Sequence, residues 1–445
     1  MRSVSQMIYF LINLLWMVEA ASHTLFAQEW QLLGLEAEKV NAIAVDPYDE
    51  NIIYAGSASD FSAGKRGSLF KSTNGGASWD TLLAGVTVRD IDIHPFNSQI
   101  VYMTGGINFL TPSGIFKSLD GGKNWIRTDF GIRIFYSEEG PGVLAIDPLH
   151  PDTLYAGTGG FFGGNLYKTT DGGKQWQAIG NETYILNGVP AITIDPKNTN
   201  VVYVGTAQNG ALLKSIDGGK NWKQLDFPEV GIIYDLLVHP LNSEIVYAGT
   251  WYHGFYFSRN AGTSWQRANA GLPDTNSVRK IAVAKTKVYI AANDRKKGAI
   301  YESSQNNINW KMVGNKSFEQ GVNFVSYSAK QSRLLLGAPG IYTLTILSNV
   351  ESLQEKPLSA YRLWQNYPNP FNSHTFIEYH LSEKSFVSLM IYDISDRLIR
   401  ILVHETQYPG DYRVKFNADN LASGIYFYRL QAGSYIQTQK LVLFR

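Results

Sequence analysis

Short runs of apolar, β-branched residues alternate with turn-forming residues along most of the chain, and no long stretch repeats its apolar positions with a helical period. "IAVDPYDENIIYAGS", "IDIHPFNSQIVYMTGG", "LAIDPLHPDTLYAGTGG", "ITIDPKNTNVVYVGTA" and "LLVHPLNSEIVYAGTW" are each two such runs joined by an Asp-Pro or His-Pro turn at Pro47, Pro95, Pro148, Pro196 or Pro240. Proline fixes φ near about −65° and donates no ladder hydrogen bond, so it belongs at a strand end. After each hairpin come a short strand such as "GIFKS", a glycine-rich polar phrase and a strand opened by tryptophan. The pattern predicts four strands per repeat.

The glycine-rich phrase is a register mark. Ser72 to Trp79, Ser118 to Trp125, Thr169 to Trp176, Ser215 to Trp222, Ser258 to Trp265 and Ser303 to Trp310 share one spacing, and their tryptophans fall 46, 51, 46, 43 and 45 residues apart. A period in this range predicts four-stranded units arranged about a centre, the blades of a β-propeller. A seventh hairpin, "NFVSYSAKQSRLLLGAPGIYTLTI", lacks a fourth strand with tryptophan, while Trp30 stands 49 residues upstream of Trp79. The N-terminal strand is therefore expected to complete the last blade. That closes a seven-bladed ring over residues 28–347 and leaves no open sheet edge.

Within the phrase, the short acid or amide of Asn74, Asp120, Asp171, Asp217 and Asn260 can accept hydrogen bonds from nearby backbone N–H groups. The glycines supply the positive φ of a tight turn. Trp79, Trp125, Trp176, Trp222, Trp265 and Trp310 offer broad apolar faces for packing between blades. Because the same residue recurs at the outer turn of blade after blade, whereas a ring has a single axis, these carboxylates read as turn-formers and not as catalytic groups or calcium ligands. The pattern S-x-D-x-G-x-x-W resembles the Asp-box of sialidases and of the related sortilin-like and photosystem-assembly (BNR-type) propellers, over roughly residues 28–347. The resemblance implies the propeller fold and is only weakly tied to activity.

The two ends of the chain read differently. "MRSVSQ" carries one positive charge, "MIYFLINLLWMV" is mostly apolar, and Ala20, Ala21 and Ala27 follow. The apolar run falls short of the ~20 residues of a membrane span, so residues 1–27 are expected to be a signal peptide. Residues 348–360, "SNVESLQEKPLSA", are polar and aperiodic and read as a linker. Residues 361–445 again hold short apolar runs between turns and predict an immunoglobulin-like β-sandwich. "QNYPNPFN" (365–372), "IYDI" (391–394), "NLASGIYFYRLQAG" (420–433) and the final "QTQKLVLFR" resemble the type A C-terminal sorting domain of the type IX secretion system of Bacteroidota and relatives. Ser373 stands where that family often has proline, and Asp396 where it usually has glycine. The resemblance implies the type IX machinery as a partner, and a cell-surface or extracellular destination in a Gram-negative bacterium.

Composition narrows the chemistry. With 39 basic against 38 acidic residues there is no electrostatic footprint for nucleic acid. The absence of cysteine removes disulfides, thiol catalysis and thiolate metal sites. His94 and His239 fill the turn position held elsewhere by Asp, and His253 has no ligand-spaced partner, so neither a metal nor a cofactor is expected. No phosphate-cradling or nucleophile-elbow motif occurs.

The loops between second and third strands and between blades collect aromatics: Phe135, Tyr136, Phe161, Phe162, Tyr184, Trp251 and Tyr252. Such rings suit a sugar or peptide ligand, or alternatively plug the channel. Arg66, Arg89, Arg133 and Arg279 lie in or beside these loops, yet the arginine-bearing motif of sialidases is absent. The expected function is a non-catalytic glycan- or protein-binding module on the propeller face. The alternative is a polysaccharide-degrading glycoside hydrolase, pairing Glu138 or Glu139 with Glu182 or Asp274, with Asp60 also on that face.

Overall fold

In the computed structural model, Asp-Pro and His-Pro turns join antiparallel strands, and the turn residue itself holds the corner. Asp46 Oδ1 accepts the N–H groups of Tyr48 and Asp49 at 2.8 and 3.2 Å, and Asp147 Oδ1 those of Leu149 and His150 at 2.8 and 2.9 Å. Where histidine replaces Asp, its Nδ1 takes over: His94 accepts from Phe96 and His239 from Leu241, both at 3.1 Å. The structure describes residues 29–346 and 361–444, apart from 60–63, 107–112, 134–139, 160–163, 181–187, 208–210, 229–230, 274–276, 285, 315, 395–396, 420 and 434. Every regular element among them is a β-strand. The chain forms two compact units that divide after Ser348.

In the first unit, five four-stranded antiparallel sheets keep their strands in chain order, as in Thr87–Ile93, Val101–Gly106, Gly114–Ser118 and Ile126–Arg127. The sixth sheet has six strands, ordered Phe324–Ser328, Arg333–Thr345, Gln31–Val45, Ile53–Ala58, Ser68–Ser72 and Asp80–Ala84. Its two long strands each serve two neighbourhoods. Phe324 pairs with Gly337, Gln31 and Leu32 pair with Thr343 and Tyr342, and beyond an irregular stretch Ala42–Val45 pair with Gly56–Ile53. The first strand of the unit thus hydrogen-bonds the last. Trp30 Nε1 also donates to Val313 O at 3.0 Å, and its ring is buried with Ile300, Leu334 and Leu336.

The core lies between successive sheets. Tyr54 and Leu69 of one sheet pack on Val101 and Phe116 of the next, and Tyr203 and Leu212 on Leu236 and Tyr256. Both faces of the second strands are buried, which is why strands such as Leu154–Thr158 are apolar without alternation. The tyrosines of four second strands have a further task. Tyr54 OH and Lys71 Nζ both donate to Gly121 O, at 2.9 and 2.7 Å, in the glycine-rich turn of the following sheet. Tyr102 and Lys117 clasp Gly172 O, Tyr155 and Lys168 clasp Gly218 O, and Tyr203 and Lys214 clasp Ala261 O.

The turns so clasped share one hydrogen-bond pattern. Ser118 Oγ donates to Asp120 Oδ1 and accepts from Gly122 N, while Asp120 Oδ1 accepts from Asn124 N, all within 2.8–2.9 Å. Equivalent bonds surround Asn74, Asp171, Asp217 and Asn260. The bonds from Asn124 and Ser118 hold the exposed Asp120 carboxyl down at about 2, so it accepts at any ordinary pH. The indoles of Trp79, Trp176, Trp222 and Trp310 donate to Leu33, Thr128, Ile179 and Ala268 of the preceding repeat. Trp125 and Trp265 instead donate to Gly122 and Gly262 of their own turns.

The second unit has a three-stranded sheet (Tyr361–Leu363, His374–Leu381, Gly410–Asn417) and a four-stranded sheet (Leu398–Gln407, Ser385–Tyr392, Gly424–Ala432, Tyr435–Leu443) around one core that includes Ile377, Leu389, Phe416, Tyr428 and Leu441. The "QNYPNPFN" segment fastens the last strand. Phe371 N donates to Val442 O at 2.9 Å, Phe444 N to Phe371 O at 2.8 Å and Val442 N to Asn369 Oδ1 at 2.7 Å.

Candidate functional site

The first strand of several repeats is interrupted at one place. Register shifts fall between Val40 and Ala42, Val88 and Asp90, Ile233 and Asp235, and Val278 and Lys280. Asn41, Arg89, Tyr234 and Arg279 are thereby left out of the ladder. A bulge of this kind breaks strict alternation and re-aims a side chain. Gly142 occupies a like position between Pro141 and Val143, which pair with Thr158 and Gly157, and Pro190 and Asn323 immediately precede the inner strands Ala191–Ile194 and Phe324–Ser328. All seven residues line a single cavity of about 620 Å³.

Its walls differ in chemistry. Arg279 carries its guanidinium 4.0 Å from the Tyr234 ring centre, and Arg279 Nε is buried without a hydrogen-bond partner. Tyr234 leads outward to Trp251 at 6.5 Å, which stacks on Tyr252 at 4.8 Å with the rings 26° apart. Trp251 and Tyr252 are 38% and 47% exposed, so the ladder of rings runs from solvent to the cavity. Backbone bonds from Trp251 N to Ile232 O (2.9 Å) and from Tyr252 N to Ser277 Oγ (3.3 Å) hold that corner. Asn323 Nδ2 donates to Asn41 Oδ1 at 3.1 Å on another side. Gly142, Gly157, Gly159 and Gly188 add a stretch of close-set backbone to the lining. A Cβ on Gly157 would come within 2.2 Å of Val189 O, and one on Gly159 within 2.8 Å of Gly188 Cα.

Next to this ring of residues along the inner strands stand Asp90, Asp92, Asp235 and Lys280. Asp90 Oδ2 accepts from Leu144 N at 2.9 Å, and Asp235 Oδ2 from Ile281 N at 2.7 Å, so each carboxylate staples its strand to the following one. Lys280 Nζ meets Asp235 Oδ1 at 3.0 Å. Burial works against the lysine's charge, but Asp235 and Asp90 outweigh it and hold Lys280 up at about 12. Burial pushes the carboxyls of Asp90 and Asp235 above the usual range. It pushes Asp92 well above, reinforced by the charge of Asp90, and Asp92 Oδ2 is buried without a partner. The arrangement is electrostatic scaffolding beside a cationic, aromatic cavity.

Of the aromatics expected to meet a ligand, Trp251 and Tyr252 stand beside the cavity. Phe135, Tyr136, Phe161, Phe162 and Tyr184 lie outside the described residues, as do the carboxylates Asp60, Glu138, Glu139, Glu182 and Asp274. Arg89 and Arg279 come together in the lining, whereas Arg66 and Arg133 are not part of it. Asn41, Tyr234 and Asn323 were not singled out from the sequence. The signal for most of them is a fixed offset: Asn41, Arg89, Gly142, Pro190 and Tyr234 each stand five residues before the Asp or His of the following turn. Among the described residues, no cluster of histidines and carboxylates is arranged to hold a metal ion. No helix among them is long and apolar enough to cross a membrane.

Residues 22–194 match the family described as photosynthesis system II assembly factor YCF48, and residues 365–444 match the secretion system C-terminal sorting domain. The solved YCF48 from Cyanidioschyzon merolae shares the fold at a TM-score of 0.53 and 16% identity, covering 72% of this chain and all of that one. A xyloglucanase from Xanthomonas campestris does so at 0.55 and 14% identity, covering 90% of this chain and 67% of that one. Among curated proteins, a probable oligoxyloglucan-reducing end-specific xyloglucanase of Neosartorya fischeri is 28% identical over 42% of this chain. A Paenibacillus xyloglucanase is 30% identical over 34% of it. The chain spans 23% and 15% of the length of these two relatives. Repeats, sheet architecture and tail converge: the chain carries a β-propeller, matched by the YCF48-like, BNR-type family over residues 22–194, and a type IX secretion-system C-terminal sorting domain over residues 365–444.

Proposed function

We propose that this is an exported, non-catalytic binding module of the cell surface or extracellular space, delivered through the type IX machinery, and that it holds a glycan in the axial cavity. The observation that carries the reading is the ladder Tyr252, Trp251, Tyr234 and Arg279, which offers aromatic faces from solvent into an open cavity of about 620 Å³. Aromatic faces beside a few fixed polar groups are the usual means of gripping a sugar ring. Seven inner-strand residues around one cavity support a seven-bladed ring, with the six-stranded sheet counted as two blades sharing long strands. Two sheets around one core support an immunoglobulin-like sandwich for the tail.

The test is a glycan-binding screen with the full chain, with the same wells assayed for released reducing sugar. Binding without release, weakened in Trp251→Ala, is the expected result. Release of sugar would replace this reading with the hydrolase suggested by the partial likeness to xyloglucanases. Binding of peptides alone would make the partner a protein, a reading prompted by the solved relative described as "YCF48 bound to D1 peptide".

A further inference from the structure

The two sheets of the second unit treat their outer faces differently. Side chains alternate along a strand, and residues directly opposite each other share a face. On the three-stranded sheet the outer face is charged and paired. Arg413 meets Glu378 at 3.3 Å, His380 meets Asp411 at 2.7 Å, and the Arg413 guanidinium lies 4.0 Å from the Phe376 ring centre. On the four-stranded sheet, Val387, Leu389, Ile391, Tyr428 and Leu430 belong to the core, so Met390, Tyr392, Ile425 and Phe427 point outward. Met390 stands opposite Ile401, and Tyr392 stands opposite both Leu398 and Phe427. Leu398, Ile401 and Ile425 are 47%, 49% and 44% exposed. An antiparallel sheet that faces water ordinarily turns polar residues to it, as the three-stranded sheet does. Contiguous exposed apolar and aromatic side chains with an arginine among them have the composition of an interface core. Arg429 is that arginine: it stands opposite Met390, with its guanidinium 4.6 Å from the Tyr392 ring centre.

The segments that mark the tail divide between two tasks. "QNYPNPFN" works inside the fold. Asn366 and Phe371 are buried, Asn366 Nδ2 donates to Thr375 Oγ1 at 2.9 Å, and Asn369 and Phe371 fasten the last strand. "IYDI" and "NLASGIYFYRLQAG" instead supply Tyr392, Ile425 and Phe427 to the outer face. A secretion-system sorting domain is read from outside, so its receiver meets exposed side chains and not buried ones. We propose that this outer face, built around Tyr392, Phe427, Leu398 and Ile401, is where the type IX machinery holds the chain, through an apolar protein surface of its own. This rests on the delivery by that machinery proposed above and says which side of the sandwich is recognised. The buried segment then serves recognition indirectly, by keeping the sheet whole.

The test expresses the full chain in a type IX-competent bacterium, and in a strain of it lacking the secretion machinery, and follows arrival at the cell surface over time. The unaltered chain should arrive in the first strain and stay in the periplasm of the second. Leu398→Lys with Ile401→Lys should slow arrival about tenfold or more, because two apolar contacts are lost and lysines would have to be buried in their place. Arg362 stands opposite His380 and Lys415 opposite Phe376, on the other outer face. Arg362→Glu with Lys415→Glu should therefore leave arrival unchanged. Calorimetry of each purified chain checks that the sandwich still melts as before. Should the lysines lower its melting, Leu398→Thr with Ile401→Thr takes their place and should slow arrival in the same direction. Normal arrival of folded variants of the apolar face, or equal slowing by changes on both faces, overturns the assignment and leaves delivery standing. So does an unaltered chain that pairs with a second copy, if the variants only abolish that pairing and arrive normally. Arrival of the unaltered chain in both strains overturns both readings.

Discussion

At the scale of single residues, the turn histidines show how one hydrogen-bonding task sets a titration. His94 is buried and accepts the N–H of Phe96 through Nδ1, so that nitrogen must stay unprotonated. Burial lowers its pKa from 6.5 to about 4. A folded-state value below the unfolded one means that the unfolded chain binds the extra proton. The histidine's contribution is therefore intact above about pH 6.5 and is lost as pH falls towards 4. Asp46, Asp147 and Asp195 perform the same capping in sister repeats, so His94→Asp should keep the corner and flatten the loss of melting temperature between pH 7 and 5. Parallel melting curves for the two proteins across that range would show that His94 does not titrate with unfolding. The capping role was legible in the sequence because His94 and His239 occupy the Asp slot before proline. The aim of Arg89 and Arg279 was not, because a bulge is set by how two strands pair and not by the identity of the bulged residue.

At the scale of elements, the repeat period announced each sheet, while the link between sheets was hidden in residues that looked like ordinary strand members. Tyr155 and Lys168 recur with the period, and together they grip Gly218 O of the following repeat at 3.0 and 2.7 Å, with the ammonium 5.2 Å from the ring centre. Only the folded arrangement brings the two side chains to one carbonyl. A carbonyl oxygen has two lone pairs, so removing either donor leaves the other in place. Tyr155→Phe and Lys168→Met should each cost about 1 kcal/mol in urea unfolding, whereas the double variant leaves a buried carbonyl unsatisfied and should cost more than their sum. Simple additivity would mean that the two donors act on the turn independently. The length of Gln31–Val45 was also illegible: an N-terminal closing strand was expected, but the same strand runs on to pair with Ile53–Ala58, through an irregular stretch between Leu32 and Lys39 in which Gly34 and Leu35 take positive φ.

At the scale of the whole molecule, the question is what cooperates with what. Every described hydrophobic cluster draws its residues from one unit: seven from residues 30–346 and one from residues 361–443. Cooperativity follows shared core, so calorimetry of the chain should resolve two transitions, the larger belonging to the propeller. The pairing of Gln31 and Leu32 with Thr343 and Tyr342 joins the ends of that larger unit, and Trp30 seals it by burying its ring and bonding Val313 O. Without these residues the strand Arg333–Thr345 would lose its partner along residues 341–343 and expose an unpaired edge. Trp30→Ala, which removes a buried indole at a cost of about 3–5 kcal/mol, should lower the larger transition and leave the smaller one where it was. Truncation through Gly34 should lower it further and make the protein prone to associate through the opened edge. If both transitions move together, the units share a folding equilibrium that their separate cores do not account for. If neither moves, the strand from Trp30 to Gly34 is ornamental and the ring is held by the contacts between its sheets alone.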